Sequence, residues 1–212
     1  MIPGFEFLSL CAPWVAPETV QQIIHVESKG DPLAIHINGL CFNDQPKKIS
    51  DASKAVALAQ TFMSRGYSVD LGLMQVNSKN LEKLGYTVEQ MFDPCINIRA
   101  GSSLLRDSYV KASATQGEGQ GALKAALSAY NTGNFIRGFH NGYVAKYFST
   151  HINLNKIHTS DQLNQKSVSV REYQKGQKEQ ENGKLLPIVT HLIPQQNSNP
   201  YTAETTIFKR GT

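Results

Sequence analysis

Apolar residues recur at helical spacing over 17–29, where Val20, Ile23, Ile24 and Glu27 fall at i, i+3, i+4 and i+7 on one face of an amphipathic helix. Pro17 suits the first turn of that helix and Gly30 its stop. A second helix, capped by Ser50 or Asp51, turns Ala55, Leu58, Ala59 and Phe62 inward and ends near Gly66. Over 67–77 a short apolar run leaves a strand, a small strand pair and a tight loop all open, because period alone does not separate them. Short helices follow over 78–84 and over 87–90; the second opens on a capping-box pattern from Thr87 to Gln90 and stops before Asp93-Pro94. Residues 95–110 and 122–130 are the next helical segments, parted by a glycine-rich stretch at 116–121, and 143–148 closes the domain. Beyond about residue 150 the periodicity disappears. The pattern predicts a mainly helical (α+β) domain over 1–150 with at most a small strand pair, then a flexible, polar, disordered tail over 151–212. One apolar patch, Leu185-Leu186-Pro187-Ile188-Val189, interrupts that tail and is a candidate to dock on a partner or on the domain.

Composition narrows the class. No run of about 18 apolar residues is present to form a membrane-spanning helix. The formal charge is +4, but residues 1–150 carry 13 basic against 12 acidic side chains, so the domain lacks the basic stripe that nucleic-acid binding requires. Cys11, Cys41 and Cys95 match no metal-ligand spacing; one disulfide with a free thiol and three buried thiols are both compatible with them. The first ten residues are apolar but lack a basic start, and Glu6 interrupts them, so no standard leader is read there.

The residue that stands out is Glu27, which occupies a position in the helical stripe where the pattern calls for Leu or Ile. A carboxyl facing the core loses hydration, and at the last turn of a helix it meets the negative end of the dipole; both raise its pKa, as a general acid at neutral pH requires. Alone, the helix favours the other reading, a Glu27 at the stripe's edge that reaches to water, and the further segments shift that balance. Two further segments accompany it in order: Gly72-Leu73-Met74-Gln75 and Ala129-Tyr130-Asn131. His25 projects to another side of the helix and is expected at the surface.

With Glu27-Ser28, these segments resemble the lytic transglycosylases of lysozyme-like fold, whose patterns are Glu-Ser at a helix end, Gly-Leu-Met-Gln and Ala-Tyr-Asn. Cys11-Ala-Pro, Phe92-Asp-Pro-Cys95 and Gly133-Asn-Phe135 make the chain most similar to the specialised enzymes of type IV secretion and conjugation systems. The resemblance covers about residues 10–148. It implies that Glu27 is the catalytic acid, that Ser28 positions glycan or acid, that Gln75 hydrogen-bonds substrate, that Met74 is an apolar wall, and that Tyr130 and Asn131 line the cleft. It also implies cleavage of the β-1,4 bond between N-acetylmuramic acid and N-acetylglucosamine in peptidoglycan, with closure of a 1,6-anhydro ring and with no metal or cofactor. The partners implied are glycan strands and, through the tail, components of the secretion apparatus; the location implied is periplasmic or otherwise exported.

Four alternatives follow from the residues. Asp70 is the acid nearest the Gly-Leu-Met-Gln segment; facing the cleft it would make the chain a hydrolytic lysozyme, whereas the expectation is that it anchors the loop. A peptidoglycan-binding scaffold without turnover is disfavoured by the intact Glu27. A zinc deaminase, suggested by His25-Val26-Glu27 and Pro94-Cys95, fails because Ile98 stands where the second cysteine ligand belongs, and a reactive Cys95 competes with a buried or disulfide-bonded sulfur.

Overall fold

The computed structural model describes residues 2–148, so the tail expected over 151–212 and its apolar patch lie outside the described residues. In chain order the elements are α1 (Phe5–Cys11), α2 (Pro17–Ser28), β1 (Ile35–Ile37), α3 (Ala52–Ser64), β2 (Val69–Leu71), β3 (Val76–Asn77), α4 (Leu81–Leu84), α5 (Pro94–Gln116), α6 (Gln120–Thr132), α7 (Arg137–His140) and α8 (Ala145–Phe148), with 3-10 turns at Phe42–Asp44, Ser78–Asn80 and Glu89–Phe92. The domain is mainly helical, as the pattern predicts.

Local chemistry sets the boundaries. Pro17 begins α2, and Lys29 at φ 55° with Gly30 at φ 82° ends it in the left-handed region. Asp51 caps α3 by accepting from the Lys54 amide at 2.8 Å. The capping box forms at the Glu89–Phe92 turn: the Gln90 side chain accepts from the Thr87 amide at 2.9 Å, and the Thr87 hydroxyl from the Gln90 amide at 3.3 Å. Asp93 then caps α5 through the Ile96 amide at 2.9 Å, with Pro94 in its first turn. That cap starts α5 one residue before the expected point, and the helix runs on to Gln116 rather than stopping near Val110.

The strand pair is one strand larger than expected. β1, β2 and β3 form a three-stranded antiparallel sheet in that order, with Ile37 opposite Val69, Ile35 opposite Leu71 and His36 opposite Asp70 opposite Asn77. Ile37, Val69, Leu71 and Val76 are buried, so one face is apolar and the other carries His36, Asp70 and Asn77. The apolar N-terminal segment also has a structural use: Leu8 and Cys11 of α1 are buried against α2 and α5. Cys11 and Cys95 form a disulfide that ties α1 to the start of α5, and Cys41 is an exposed free thiol. Of the two cysteine arrangements left open above, the structure has one disulfide and one thiol, and Cys95 has no thiol to act as a nucleophile.

Candidate active site

Val20, Ile23 and Ile24 are fully buried, and the same stripe carries Glu27 onward to the last turn of α2, where it is half-buried. His25 is exposed, as its angular position predicts. Burial raises the Glu27 carboxyl from 4.5 to about 7; the Tyr143 hydrogen bond opposes the rise, the negative charge of Asp70 adds to it, and Lys146 and Tyr147 oppose it. Tyr143 donates its hydroxyl to Glu27 Oε1, the Tyr147 hydroxyl lies 3.5 Å from the same oxygen, and the two phenols are 2.6 Å apart. Glu27 Oε2 has no hydrogen-bond partner among the described residues. Burial, followed by neighbouring negative groups, pushes both phenols up, so they stay protonated donors.

α8 is fixed to α2 by the buried Gln22, whose Nε2 donates to the Tyr147 carbonyl at 2.7 Å. The two rings meet edge to face with centroids 5.2 Å apart. Sequence reading placed 143–148 as a closing element but gave Tyr143, Tyr147 and Lys146 no part in the site. Their signal is the tyrosine pair four positions apart; Tyr143 lies in the turn that leads into α8 and Tyr147 within it, and both phenols reach the same carboxyl oxygen.

Gly72-Leu73-Met74-Gln75 is the connection between β2 and β3. Gly72 has φ 71°, and a Cβ there would lie 2.4 Å from Asn97 Nδ2 and from the Met91 carbonyl, so only glycine fits. Gln75 closes the loop at φ 48°, a left-handed conformation uncommon for a side-chain-bearing residue and of the kind that recurs at functional sites. Its Nε2 donates to the carbonyls of Gly72 at 2.9 Å and Ala34 at 3.2 Å, which leaves Oε1 without a partner among the described residues.

Beneath the loop, the buried Asn97 of α5 is satisfied from both ends of its amide. Its Oδ1 accepts from the Met74 amide at 2.8 Å, and its Nδ2 donates to the carbonyls of Leu71 at 2.8 Å and Met91 at 2.9 Å. Sequence reading missed Asn97. Met74 has no exposed surface; its sulfur takes a contact from Ser102 at 3.8 Å, and its carbonyl accepts from the Tyr130 hydroxyl at 2.7 Å. Met74 and Tyr130 are therefore joined directly, and the charge of Glu27 contributes, after burial, to the raised pKa of Tyr130.

Two of the expected residues, Ser28 and Asn131, make hydrogen bonds within the domain. The Ser28 hydroxyl donates to the Ile24 carbonyl and accepts from the Gly30 amide, each at 3.2 Å, so it closes the end of α2. Asn131 is exposed near the end of α6, where its Oδ1 accepts from Asn141 at 3.3 Å. Asp70 stands on the polar face of the sheet with both oxygens occupied: Asn77 donates at 2.6 Å and Asn38 at 2.9 Å. Burial raises its pKa, opposed by those amides and by His36. Its partners are Asn38 and Asn77 rather than residues of the 72–75 loop that it is expected to anchor, and its charge acts on Glu27.

Residues 9–151 match the transglycosylase SLT domain family. Among curated proteins, the chain is 42% identical over 140 residues to the type IV secretion system protein virB1 of Brucella suis biovar 1, covering 66% of this chain and 58% of that protein. It is 43% identical over 136 residues to protein virB1 of Agrobacterium tumefaciens, covering 64% and 55%. It is 42% identical over 69 residues to invasion protein IagB of Salmonella typhimurium, covering 31% and 42%. The matched region thus spans a little over half the length of the virB1 proteins. No solved structure matches the chain.

Proposed function

Because the chain belongs to the transglycosylase SLT domain family, we propose that it is a peptidoglycan lytic transglycosylase with Glu27 as its acid and then its base. The observation that carries this reading is a carboxyl raised to about 7 by burial, with Oε1 held by Tyr143 and Oε2 without a hydrogen-bond partner among the described residues. Near neutral pH a large share of Glu27 is protonated. Glu27 gives that proton to the glycosidic oxygen between N-acetylmuramic acid and N-acetylglucosamine as positive charge develops at C1. The carboxylate that results is stabilised by the Tyr143 hydroxyl, and it then takes the proton from the muramic 6-hydroxyl as that oxygen bonds to C1. The products are a 1,6-anhydro sugar and a free hydroxyl, and water is not consumed.

In this reading Gln75 Oε1 accepts a hydrogen bond from the glycan, while the Tyr130–Met74 bond and Asn97 fix the loop that presents it. Asn131 contributes at the rim. Ser28 and Met74 act by shaping the helix end and the loop. The names of the virB1 relatives support a role in local opening of the wall for a type IV secretion or conjugation apparatus, with residues 151–212 as the segment that meets its components. The Cys11–Cys95 disulfide supports an exported, periplasmic site of action, since such bonds persist in oxidising compartments.

A hydrolytic reading is favoured by one observation, the influence of Asp70 on Glu27. Mass spectrometry of products released from purified peptidoglycan separates the two. Anhydro-muropeptides from the wild type and none from Glu27→Gln are expected. Reducing-end products would replace the transglycosylase with a hydrolase that uses Asp70, and absence of products from both proteins would favour a binding scaffold.

A further inference from the structure

A groove of ≈ 350 Å³ lies where the end of α5 meets α6 and α7, and it shares no residue with the Glu27 site. Its apolar wall is Phe135, Ile136 and Phe139, which are 38, 64 and 46% exposed, with Ala125 and the Lys124 stem opposite. These side chains are held outward by construction. Ser128 of α6 donates to the Asn134 carbonyl at 2.6 Å and accepts from the Gly138 amide at 2.7 Å, and Asn134 caps α7 by accepting from the amides of Ile136 and Arg137. Gly138 sits so close that a Cβ there would lie 2.6 Å from Ser128 Cα. A fixed cluster of three large exposed apolar side chains calls for a covering group.

The course of the chain supplies one. Lys124, in the groove wall, places its Nζ 4.7 Å from the ring centroid of Phe148, so the described chain ends beside the groove. Residues 151–212 are rich in polar side chains, and their longest uninterrupted apolar run is 185–189, Leu-Leu-Pro-Ile-Val. Leu185 follows Phe148 by 37 positions, and a flexible chain of that length has in general a root-mean-square span of roughly 33 Å, ample for a return to α6. Tethering sets the local concentration of that run on the order of 1 mM, so even modest affinity fills the groove. A Pro within the run removes one backbone donor and favours an extended backbone, which suits a segment laid along a wall of side chains.

We propose that residues 185–189 of this chain occupy the groove formed by Phe135, Ile136, Phe139 and Lys124. The proposal is independent of the reaction assigned to Glu27. It is tested on the full chain by hydrogen–deuterium exchange of wild type, Leu186→Asp, Ile136→Asp and the double variant. Amides over 121–125 and 135–139 are expected to exchange about tenfold faster in either single variant, with no further gain in the double, because both changes break one contact. Release of anhydro products by Leu186→Asp is expected to equal that of wild type, so failure here leaves the proposed function standing. Unchanged exchange in Leu186→Asp overturns the proposal, and that variant cannot perturb the folding of residues 2–148 through their own packing. Protection that rises with protein concentration alongside a dimeric sedimentation coefficient assigns the groove to a second copy instead. Protection seen only with added glycan assigns it to substrate.

Discussion

At the scale of single residues, the site is a contest over one proton. Burial of Glu27 pushes its carboxyl up, Asp70 pushes further, and Tyr143 pulls it back. In the proposed mechanism Glu27 must be protonated to act as the acid, so activity is expected to fall as pH rises through about 7. Tyr143→Phe removes a donor that favours the carboxylate, and the alkaline limb of the pH–rate profile is expected to move upward. Asp70→Asn removes a like charge and is expected to move it downward. Limbs moving together, or not at all, would refute the coupling. The same burial carries a stability cost. A carboxyl whose folded pKa exceeds its unfolded one binds more protons when folded, so this contribution to stability is lost as pH rises from 4.5 to about 7. Glu27→Gln, which cannot ionise, is expected to stabilise the fold at pH 8 by about 3 kcal/mol while it abolishes activity; urea unfolding at pH 4 and pH 8 reads this as a gain present only at the higher pH. Glu27 was legible in the sequence because a carboxylate in an apolar stripe is locally anomalous. Tyr143 has no role in the sequence pattern, and the influence of Asp70 on Glu27 is not legible there, because both effects depend on distances across 116 and 43 positions of chain that no local pattern encodes.

At the scale of elements, the strongly periodic helices α2, α3 and α6 were read nearly to their ends, since their buried stripes and caps are local. The sheet was only half read. β1 is three residues long with one exposed position, too short for alternation to stand out, and its place is fixed by pairing with β2 rather than by its own composition. The loop motif was found, but its support was not: Asn97 sits inside α5 among otherwise helical residues and becomes informative only once α5 is seen against the loop. Its three hydrogen bonds tie α5 to Leu71, Met74 and Met91. Asn97→Ala removes the acceptor of the buried Met74 amide and a donor to each of the Leu71 and Met91 carbonyls, which is expected to destabilise the fold by about 3 kcal/mol. It also frees the strained Gln75, so an activity loss larger than the unfolded fraction accounts for is expected at a temperature where the variant remains folded. Calorimetry beside product release at that temperature distinguishes this from loss of stability alone; proportional losses would mean that Asn97 supports the fold and not the loop's conformation.

At the scale of the whole molecule, α1 is joined to the helical body both by packing and by a covalent bond whose partners are 84 positions apart. Leu8 and Cys11 are buried, but Phe5, Phe7 and Leu10 of the same seven-residue helix remain exposed, so α1 has little burial with which to hold itself in place. The disulfide compensates by restricting the unfolded chain, and for a loop of this length the chain-entropy account gives about 4 kcal/mol. Cys11→Ser with Cys95→Ser is expected to lower stability by roughly that amount in urea unfolding, and addition of a reductant is expected to do the same to wild type while leaving the double variant unchanged. Native alkylation should label Cys41 alone, because it is the exposed thiol, with three sites labelled after reduction and unfolding. A single native label followed by a small loss of stability on reduction would mean that packing of Leu8 against α2 and α5 already fixes α1. A loss near the full estimate would mean that the chain reaches its stable form only where disulfides form, which ties its folding to an oxidising compartment of the kind the proposed function requires.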